Sequence, residues 1–465
     1  MSSIFTEDEL VEQPAIALLK DLGWEHANCF EETFGISSTL GRDTTSDVVL
    51  VSHLQPALKR LNPDLPAEAL HLAIQELTRD RSLTSPAEAN REIYQYLKEG
   101  VKITYRNVEG IETNETVNLI DWNTPSNNKY FLASQFWITG EMYKRRADLV
   151  GFVNGIPLIF IELKASHKRL KDAFDHNLRD YKDTIPHILW YNAFIILSNG
   201  SNTKVGTITG EWEHFNEWKK INQEGEEGVV SLETTLRGIC EPQRLLDIVE
   251  NFILFAEVKG GLHKLLAKNH QYLGVNNAFE EVQKIKQNQG RLGVFWHTQG
   301  SGKSYSMIMF AQKVLRKLPG NWTFVIVTDR TDLDNQIYKN FAGVGAVIES
   351  EDRVRAMSGE HLKQLLREDH RYVFTLIQKF HIESGKKYPR LSDRSDIIAF
   401  PRSSLEKSGK AVIFPSVPFP STYHPPKIDP ITALRSGSFL FSHITSQYFK
   451  CMLVSASKNT CFVNM

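Results

Sequence analysis

The sequence is short of cysteine and has almost no net charge. Its 465 residues contain four cysteines, Cys29, Cys240, Cys451 and Cys461, scattered without the paired spacing of a metal site. That scatter excludes a disulfide framework or a zinc ribbon as the source of stability and fits a reducing compartment. Lys and Arg number 54 against 55 Asp and Glu, a formal net charge of -1. No global field therefore draws the chain to nucleic acid, and any such contact must use a local basic patch. No apolar run approaches the ~18 residues that a membrane-spanning helix needs. The opening "MSSIFTEDEL" is acidic and lacks a signal-peptide pattern. These absences predict a cytoplasmic protein with no membrane partner. The length admits two to four domains at roughly 100–200 residues each.

What is present centres on residues 145–164, "RRADLVGFVNGIPLIFIELK". Two apolar runs flank Asn154-Gly155, a strong signal for a tight β-hairpin. The second run ends in charge. Glu162 and Lys164 are two residues apart and share a strand face, with Asp148 on the partner strand. Burying unpaired charge is costly, so a bland core would not place two carboxylates and an ammonium there. Two carboxylates can hold a hard divalent cation such as Mg²⁺, and a lysine beside them can orient a water. The competing reading is a salt-bridged hairpin end. The pattern Asp, 13 residues, Glu-x-Lys resembles that of the PD-(D/E)xK nuclease superfamily.

The flanking chain supplies an α/β frame. Residues 6–22 carry a capping-box signal, Thr6-x-x-Glu9, and helical spacing that Gly23 ends. Glu12 on that helix reads as solvated, or as a supporting carboxylate for the hairpin site. Residues 56–99 read as helices and 101–121 as strands. "YFLASQFWI" reads as a further strand leading into the hairpin. Arg145 and Arg146 read as solvated charges, or as phosphate contacts beside a nuclease site. Residues 168–183 read as a charged helix on which Asn177 and Tyr181, four apart, share one face. Residues 242–268 read as a helix broken at Gly260-Gly261.

A second chemical feature is "GVFWHTQGSGKSYSMIMF" at 293–310. A short strand meets a glycine-containing loop and then an apolar helix, the context a phosphate loop needs. Gly300, Ser301 and Gly302 let backbone N–H groups approach phosphate oxygens. Lys303 can reach the β- and γ-phosphates of a nucleotide such as ATP, Ser304 can ligate Mg²⁺, and the helix N-terminus favours the anion. His297 stands where the usual first glycine would be. "WTFVIVTDRTDLDNQI" and "RYVFTLIQKFH" then supply two strands, as in the start of a doubly wound domain.

Together, "RRADLVGFVNGIPLIFIELK", "YNAFIILSNG", "VFWHTQGSGKSYSM", "VTDRTDLDNQI" and "TLIQKFH", in that order, resemble the restriction (R) subunit of type I restriction–modification enzymes. The resemblance runs from about residue 1 to about 398. It implies an α/β architecture: a PD-(D/E)xK nuclease-like domain with a mixed sheet, then an incomplete superfamily 2 (RecA-like), doubly wound motor lobe. It implies Asp148, Glu162 and Lys164 as nuclease residues, with Asp148 and Glu162 on Mg²⁺. Asn177 and Tyr181 stand near the family's Gln-x-x-x-Tyr, with Asn177 either a shorter substitute or the mark of a slip in the alignment. Gln271 matches an adenine-recognising glutamine. Implied partners are double-stranded DNA and the methylase (M) and specificity (S) subunits.

The sequence also departs from the family. After 398 the family continues into Asp-Glu-Ala-His, whose acids hold Mg²⁺ and place the attacking water. Here residues from Ala399 onward hold only two acidic residues, Glu406 and Asp429, against 11 Ser and 7 Pro, so no such pair forms. The expected organisation is a nuclease-like domain at 1–240, a helical linker at 241–270, a partial ATP-binding lobe at 271–398, and an aberrant or disordered tail at 399–465, the alternative being a genuine, divergent segment there. The expected function is ATP-dependent cleavage of double-stranded DNA with translocation in the intact enzyme. Weak nucleotide binding and poor hydrolysis are expected for the shortened lobe. The alternatives are a stand-alone Mg²⁺-dependent nuclease with a nucleotide-binding domain, or an inactive DNA-binding or assembly remnant.

Overall fold

The computed structural model describes residues 8–107, 109–288, 290, 292–298, 300–380, 394, 396–402 and 410–415. The chain divides into two compact units, Met1–Gly274 and Val275–Met465. No helix among the described residues is long and apolar enough to cross a membrane.

The first unit is built on a mixed six-stranded sheet. Its strands are β1 (Glu25–Asn28), β4 (Tyr130–Thr139), β5 (Lys144–Val153), β6 (Ile156–Leu163), β7 (Phe194–Ser198) and β8 (Thr203–Gly206), adjacent in that order. Two hairpins stand apart from it: β2 (Val101–Arg106) with β3 (Glu112–Val117), and β9 (Ile253–Val258) with β10 (Gly261–Leu266). A π-helical turn, Asp8–Glu12, leads into the helix Gln13–Asp21, and Thr6 of the expected capping box lies outside the described residues. Helices Val51–Leu61, Ala67–Thr78 and Pro86–Glu99 occupy the segment read as helical.

Strands β5 and β6 are central. β4 and β6 run antiparallel to β5, and β7 runs parallel to β6. All eight residues of β6 are buried. Each fully buried Ile, Leu or Phe stabilises the fold by roughly 1.5–3 kcal/mol, so this strand is fixed by its core contacts. Pro157 lies inside it and cannot donate to a ladder. The β5–β6 register shifts between Gly151 and Phe152, and Phe152 is the residue facing Pro157.

The turn between β5 and β6 uses Asn154 at φ 51° and Gly155 at φ 83°, as a type I′ hairpin requires. Its backbone is packed: the Gly155 carbonyl accepts from Leu50 N at 2.8 Å. A Cβ on Gly155 would press on the Leu50 carbonyl oxygen and lie 2.9 Å from Leu54 N. Neither backbone atom can swing aside. Gly155→Ala is therefore expected to destabilise the first unit by about 3 kcal/mol, from left-handed strain plus overpacking. Urea unfolding checks this, and a loss of unfolding free energy below a third of that value would contradict it.

Residues 241–270, expected as a helical linker, differ from that expectation. The helix Pro242–Asn251 is followed by the β9–β10 hairpin, and both lie in the first unit. Gly260 and Gly261, at φ 113° and 117°, turn the chain back instead of breaking a helix. The side chain of Lys264 on β10 anchors the hairpin. Its buried Nζ donates to Asn90 Oδ1 at 2.8 Å and to the Asn192 carbonyl at 2.5 Å.

The second unit carries β11 (Gly293–Trp296), β12 (Thr323–Thr328), β13 (Tyr372–Leu376), β14 (Ile397–Arg402) and β15 (Lys410–Pro415), in the order β11-β15-β14-β12-β13. β12 runs parallel to both β13 and β14, with helices Lys303–Lys317 and Thr331–Gly343 flanking it in sequence. Its core gathers Val325, Val327, Leu362, Leu365, Val373 and Ile397. The sheet is not parallel throughout, as a doubly wound lobe would make it. β15 pairs antiparallel with both β14 and β11. Only residues 403–409 separate β14 from β15, and a parallel return needs a crossover of about a dozen residues or more. The segment expected as a structureless tail thus contributes two strands where it is described, at 399–402 and 410–415. Its other positions lie outside the described residues.

Candidate functional site

In the antiparallel pairing of β5 and β6, Leu149 faces Ile161 and Val150 faces Phe160. One step further in that register sets Asp148 across from Glu162, on one face of the sheet. The structure ties them closely: Asp148 Oδ2 accepts from Leu163 N at 2.7 Å. Lys164 Nζ lies 2.8 Å from Glu162 Oε1, with side-chain exposures of 17% and 1%. The Lys164 backbone is held by the Ser198 carbonyl at 2.8 Å. The three residues predicted to act together are brought together.

Electrostatics sharpen the picture. Burial is the main reason that the Glu162 carboxyl is pushed up to about 8, and the Asp148 carboxylate pushes the same way. Lys164 and Tyr181 pull it down, but not far enough to offset these. Glu162 Oε2 is buried without a hydrogen-bond partner. An orphaned carboxylate oxygen next to a second carboxylate is short of positive charge. That shortage fits a hard divalent cation. No group of three or more His, Cys, Asp and Glu side chains able to hold a metal occurs among the described residues. Such a cation would complete its shell with backbone, water or phosphate oxygens, as Mg²⁺ commonly does.

Asn177 and Tyr181 also reach this site. The helical stretch after β6 runs Leu170–Asp172, a π-helical Ala173–Leu178, then Arg179–Thr184. Tyr181 is buried, its ring 5.3 Å from that of Phe160, and its hydroxyl donates to the Arg146 carbonyl at 3.2 Å. Burial first, then the Glu162 and Asp148 carboxylates, hold that hydroxyl far above its ordinary value, and Asn177 hydrogen-bonds it. Tyr181 therefore stays protonated and acts as a donor.

Glu12 is buried rather than solvated. Its Oε2 accepts from Gln135 Nε2 at 2.7 Å. Gln135 lies between Ser134 and Phe136, whose β5 partners are Leu149 and Ala147, so it stands across from Asp148. It has φ 54°, a strained value for a non-glycine residue. Sequence reasoning passed over Gln135, although a polar residue inside "YFLASQFWI" was a signal.

In the second unit, Gly300 and Gly302 take φ 79° and 86°, conformations that glycine adopts without strain. Lys303 and Ser304 open the helix that follows, both buried. Lys303 Nζ donates to the His297 carbonyl at 2.9 Å, which ties the ammonium back to the residue just after β11. His297 packs on Phe295 with ring centroids 4.4 Å apart. Gln271 lies in the first unit and is buried. Its Oε1 accepts from Lys268 N at 2.9 Å, at the start of the helix Asn269–Gln283, a reach-back contact that caps a helix start.

Comparison with known proteins adds to this geometry. Residues 4–214 match the family model described as the type I restriction enzyme R protein N terminus. Residues 270–401 match that of the SWI2/SNF2 ATPase. The chain is 32% identical over 403 residues to the type I restriction enzyme HindI endonuclease subunit of Haemophilus influenzae, covering 83% of this chain and 38% of that one. It is 30% identical over 427 residues to the putative type I restriction enzyme MjaIXP endonuclease subunit of Methanocaldococcus jannaschii, covering 84% and 39%. The chain thus spans about two fifths of the length of these curated relatives.

Proposed function

We propose, on the premise that this chain belongs through its N-terminal domain to the type I restriction enzyme R proteins, that the Asp148–Glu162–Lys164 set cleaves double-stranded DNA. The observation that carries the reading is the pairing of two carboxylates across β5 and β6, with one buried oxygen left unpartnered beside a lysine. Asp148 and Glu162 would hold Mg²⁺. When bound, that ion supplies charge neutralisation at the scissile phosphate and lowers the pKa of a bound water. Lys164 adds a fixed positive charge at 2.8 Å from Glu162, placed to orient the attacking water and to stabilise the charge that develops on phosphate. Tyr181, permanently protonated, supports Lys164's neighbourhood by holding the β5 backbone at Arg146. The first unit is proposed to have the PD-(D/E)xK fold.

The second unit is proposed to be part of a RecA-like lobe that binds ATP·Mg²⁺ through Gly300–Ser304, with Lys303 exchanging the His297 carbonyl for phosphate oxygens. The adenine role of Gln271 competes with its helix-capping contact. Assembly with methylase and specificity subunits in the cytoplasm, and ATP-driven translocation, are part of the same reading and belong to the intact enzyme.

The test is plasmid DNA with Mg²⁺, with and without ATP, and with and without added methylase and specificity subunits. Cleavage that appears only with ATP and those subunits is the expected result. Cleavage without either supports a self-sufficient nuclease. No cleavage in any mixture would overturn the nuclease reading for this chain.

A further inference from the structure

The face of the sheet that carries Asp148 and Glu162 continues outward along β4 and β5. Alternation puts Lys144, Arg146 and Asp148 on one side of β5, in steps of about 6.6 Å. The opposite side carries the buried Ala147 and Leu149. Across the ladder, Arg146 faces Trp137 and Lys144 faces Thr139. The side chains on this open face are unusual. The Arg146 guanidinium lies 5.2 Å from the centre of the Phe30 ring and 5.4 Å from that of Trp137. The Lys144 ammonium lies 4.6 Å from the Trp137 ring. Trp137 is fixed in turn by its Nε1, which donates to the Phe30 carbonyl at 3.2 Å. Phe30 is 52% exposed.

The neighbouring Arg145 shows the contrast. Its guanidinium is neutralised by both oxygens of Asp180. Lys144 and Arg146 have no carboxylate partner among the described residues. Rings hold them instead. An aromatic face orders a cation without taking up its N–H donors, so these two are placed yet remain free to bind oxygen anions. Two ordered cations and an exposed ring, on the same face as the carboxylate pair, match the backbone and bases of nucleic acid.

We propose that Lys144, Arg146 and Phe30 form a track that leads one strand of the DNA to Asp148 and Glu162. The two cations take successive phosphates, and the Phe30 ring packs on a sugar or base. This deepens the nuclease reading and rests on it for the direction of the strand. Glu141, at the exposed end of the same hairpin, sets the outer limit of the positive stretch.

The test is fluorescence anisotropy of the full chain with a labelled 30-base-pair duplex in EDTA, where no metal-dependent cutting occurs, across a series of NaCl concentrations. Lys144→Ala with Arg146→Ala is expected to weaken binding about tenfold. It should also reduce the slope of log K against log salt by about 2, close to one for each phosphate no longer neutralised. Phe30→Ala is expected to weaken binding about fivefold with the slope unchanged. Arg146→Lys should keep the slope. The control pair, Lys102→Ala with Arg106→Ala, removes two exposed cations from β2 and should change binding less than twofold. Equal losses in the control pair and the track pair would overturn the proposal, as would an unchanged slope in the track pair. Cleavage is read separately, in Mg²⁺ with and without ATP and the methylase and specificity subunits: full binding without cleavage in any of these mixtures sinks the nuclease reading and leaves the track standing.

Discussion

Glu162→Gln is expected to stabilise the metal-free chain at pH 9 while abolishing Mg²⁺-dependent cleavage. The Glu162 carboxyl titrates at about 8 in the fold against 4.5 when free, mainly through burial and then through Asp148. Between those two values the folded state holds a proton that the unfolded state has lost. Stability therefore falls as pH rises from about 4.5 to about 8 and is level on either side. At about 1.36 kcal/mol for each pH unit crossed, the full loss is up to about 5 kcal/mol. Glutamine keeps the shape and never ionises, so it escapes that loss. The measurement is urea unfolding in EDTA at pH 5, 7 and 9 for both proteins. The gap between variant and parent should be small at pH 5 and widen to several kcal/mol at pH 9. Taking the difference cancels the other titrating groups, provided they act independently. Parallel curves would show that Glu162 is ionised in the fold. A gain in stability with a loss of activity marks a group held in a costly state because function needs it.

Lys164→Ala should lower the cleavage rate by at least a hundredfold, and by about a thousandfold if Lys164 is the principal positive charge at the transition state. The ammonium is 2.8 Å from Glu162 Oε1 and its side chain is 17% exposed. Its stem is largely buried, so unfolding at pH 5 should show a loss of about 1–2 kcal/mol from packing alone. At neutral pH the variant should be slightly more sensitive to rising pH, because Lys164, ahead of Tyr181, pulls the Glu162 carboxyl down. Lys164→Arg keeps the charge but changes its shape and reach, and should recover only part of the rate. Single-turnover cleavage in Mg²⁺, under whichever mixture of ATP and subunits supports activity, measures all three. Equal rates for Lys164→Ala and the parent would reduce the lysine to a salt-bridge partner and return the hairpin end to its bland reading.

The hairpin was legible because each local signal agreed. Asn154-Gly155 demands the turn that the backbone takes, and the alternation after it puts Glu162 and Lys164 on one face. The strand–loop–helix order at 293–310 was legible for the same reason, since Gly300 and Gly302 take left-handed conformations just before the helix. Other parts were hidden for physical causes. Ile253–Val258 is an apolar run with no clear period, which fits a helix as well as a strand. Only pairing with β10 decides it. Gln271 sits at a helix start, where its side chain is taken up by a contact with the Lys268 backbone. Trp137 and Gln135 matter through cross-strand placement against β5, their neighbour in the β4–β5 hairpin. Phe30 joins them through a contact with Trp137 that spans about a hundred residues of sequence, and no local pattern contains it. The antiparallel β15 was likewise unreadable from composition, because Pro and Ser around Lys410–Pro415 outweigh a short apolar core.

The π-helical segment Ala173–Leu178 has a consequence for anyone searching genomes. A π-bulge inserts one extra residue into an otherwise α-helical path. A chain that lacks the bulge reaches the same tyrosine position with one residue fewer after its lysine. A search pattern that fixes the gap between those two residues would discard any relative without the bulge, while a pattern that allows a gap of one would retrieve it. Here that count is 16 intervening residues, between Lys164 and Tyr181, and 15 is the number to admit alongside it.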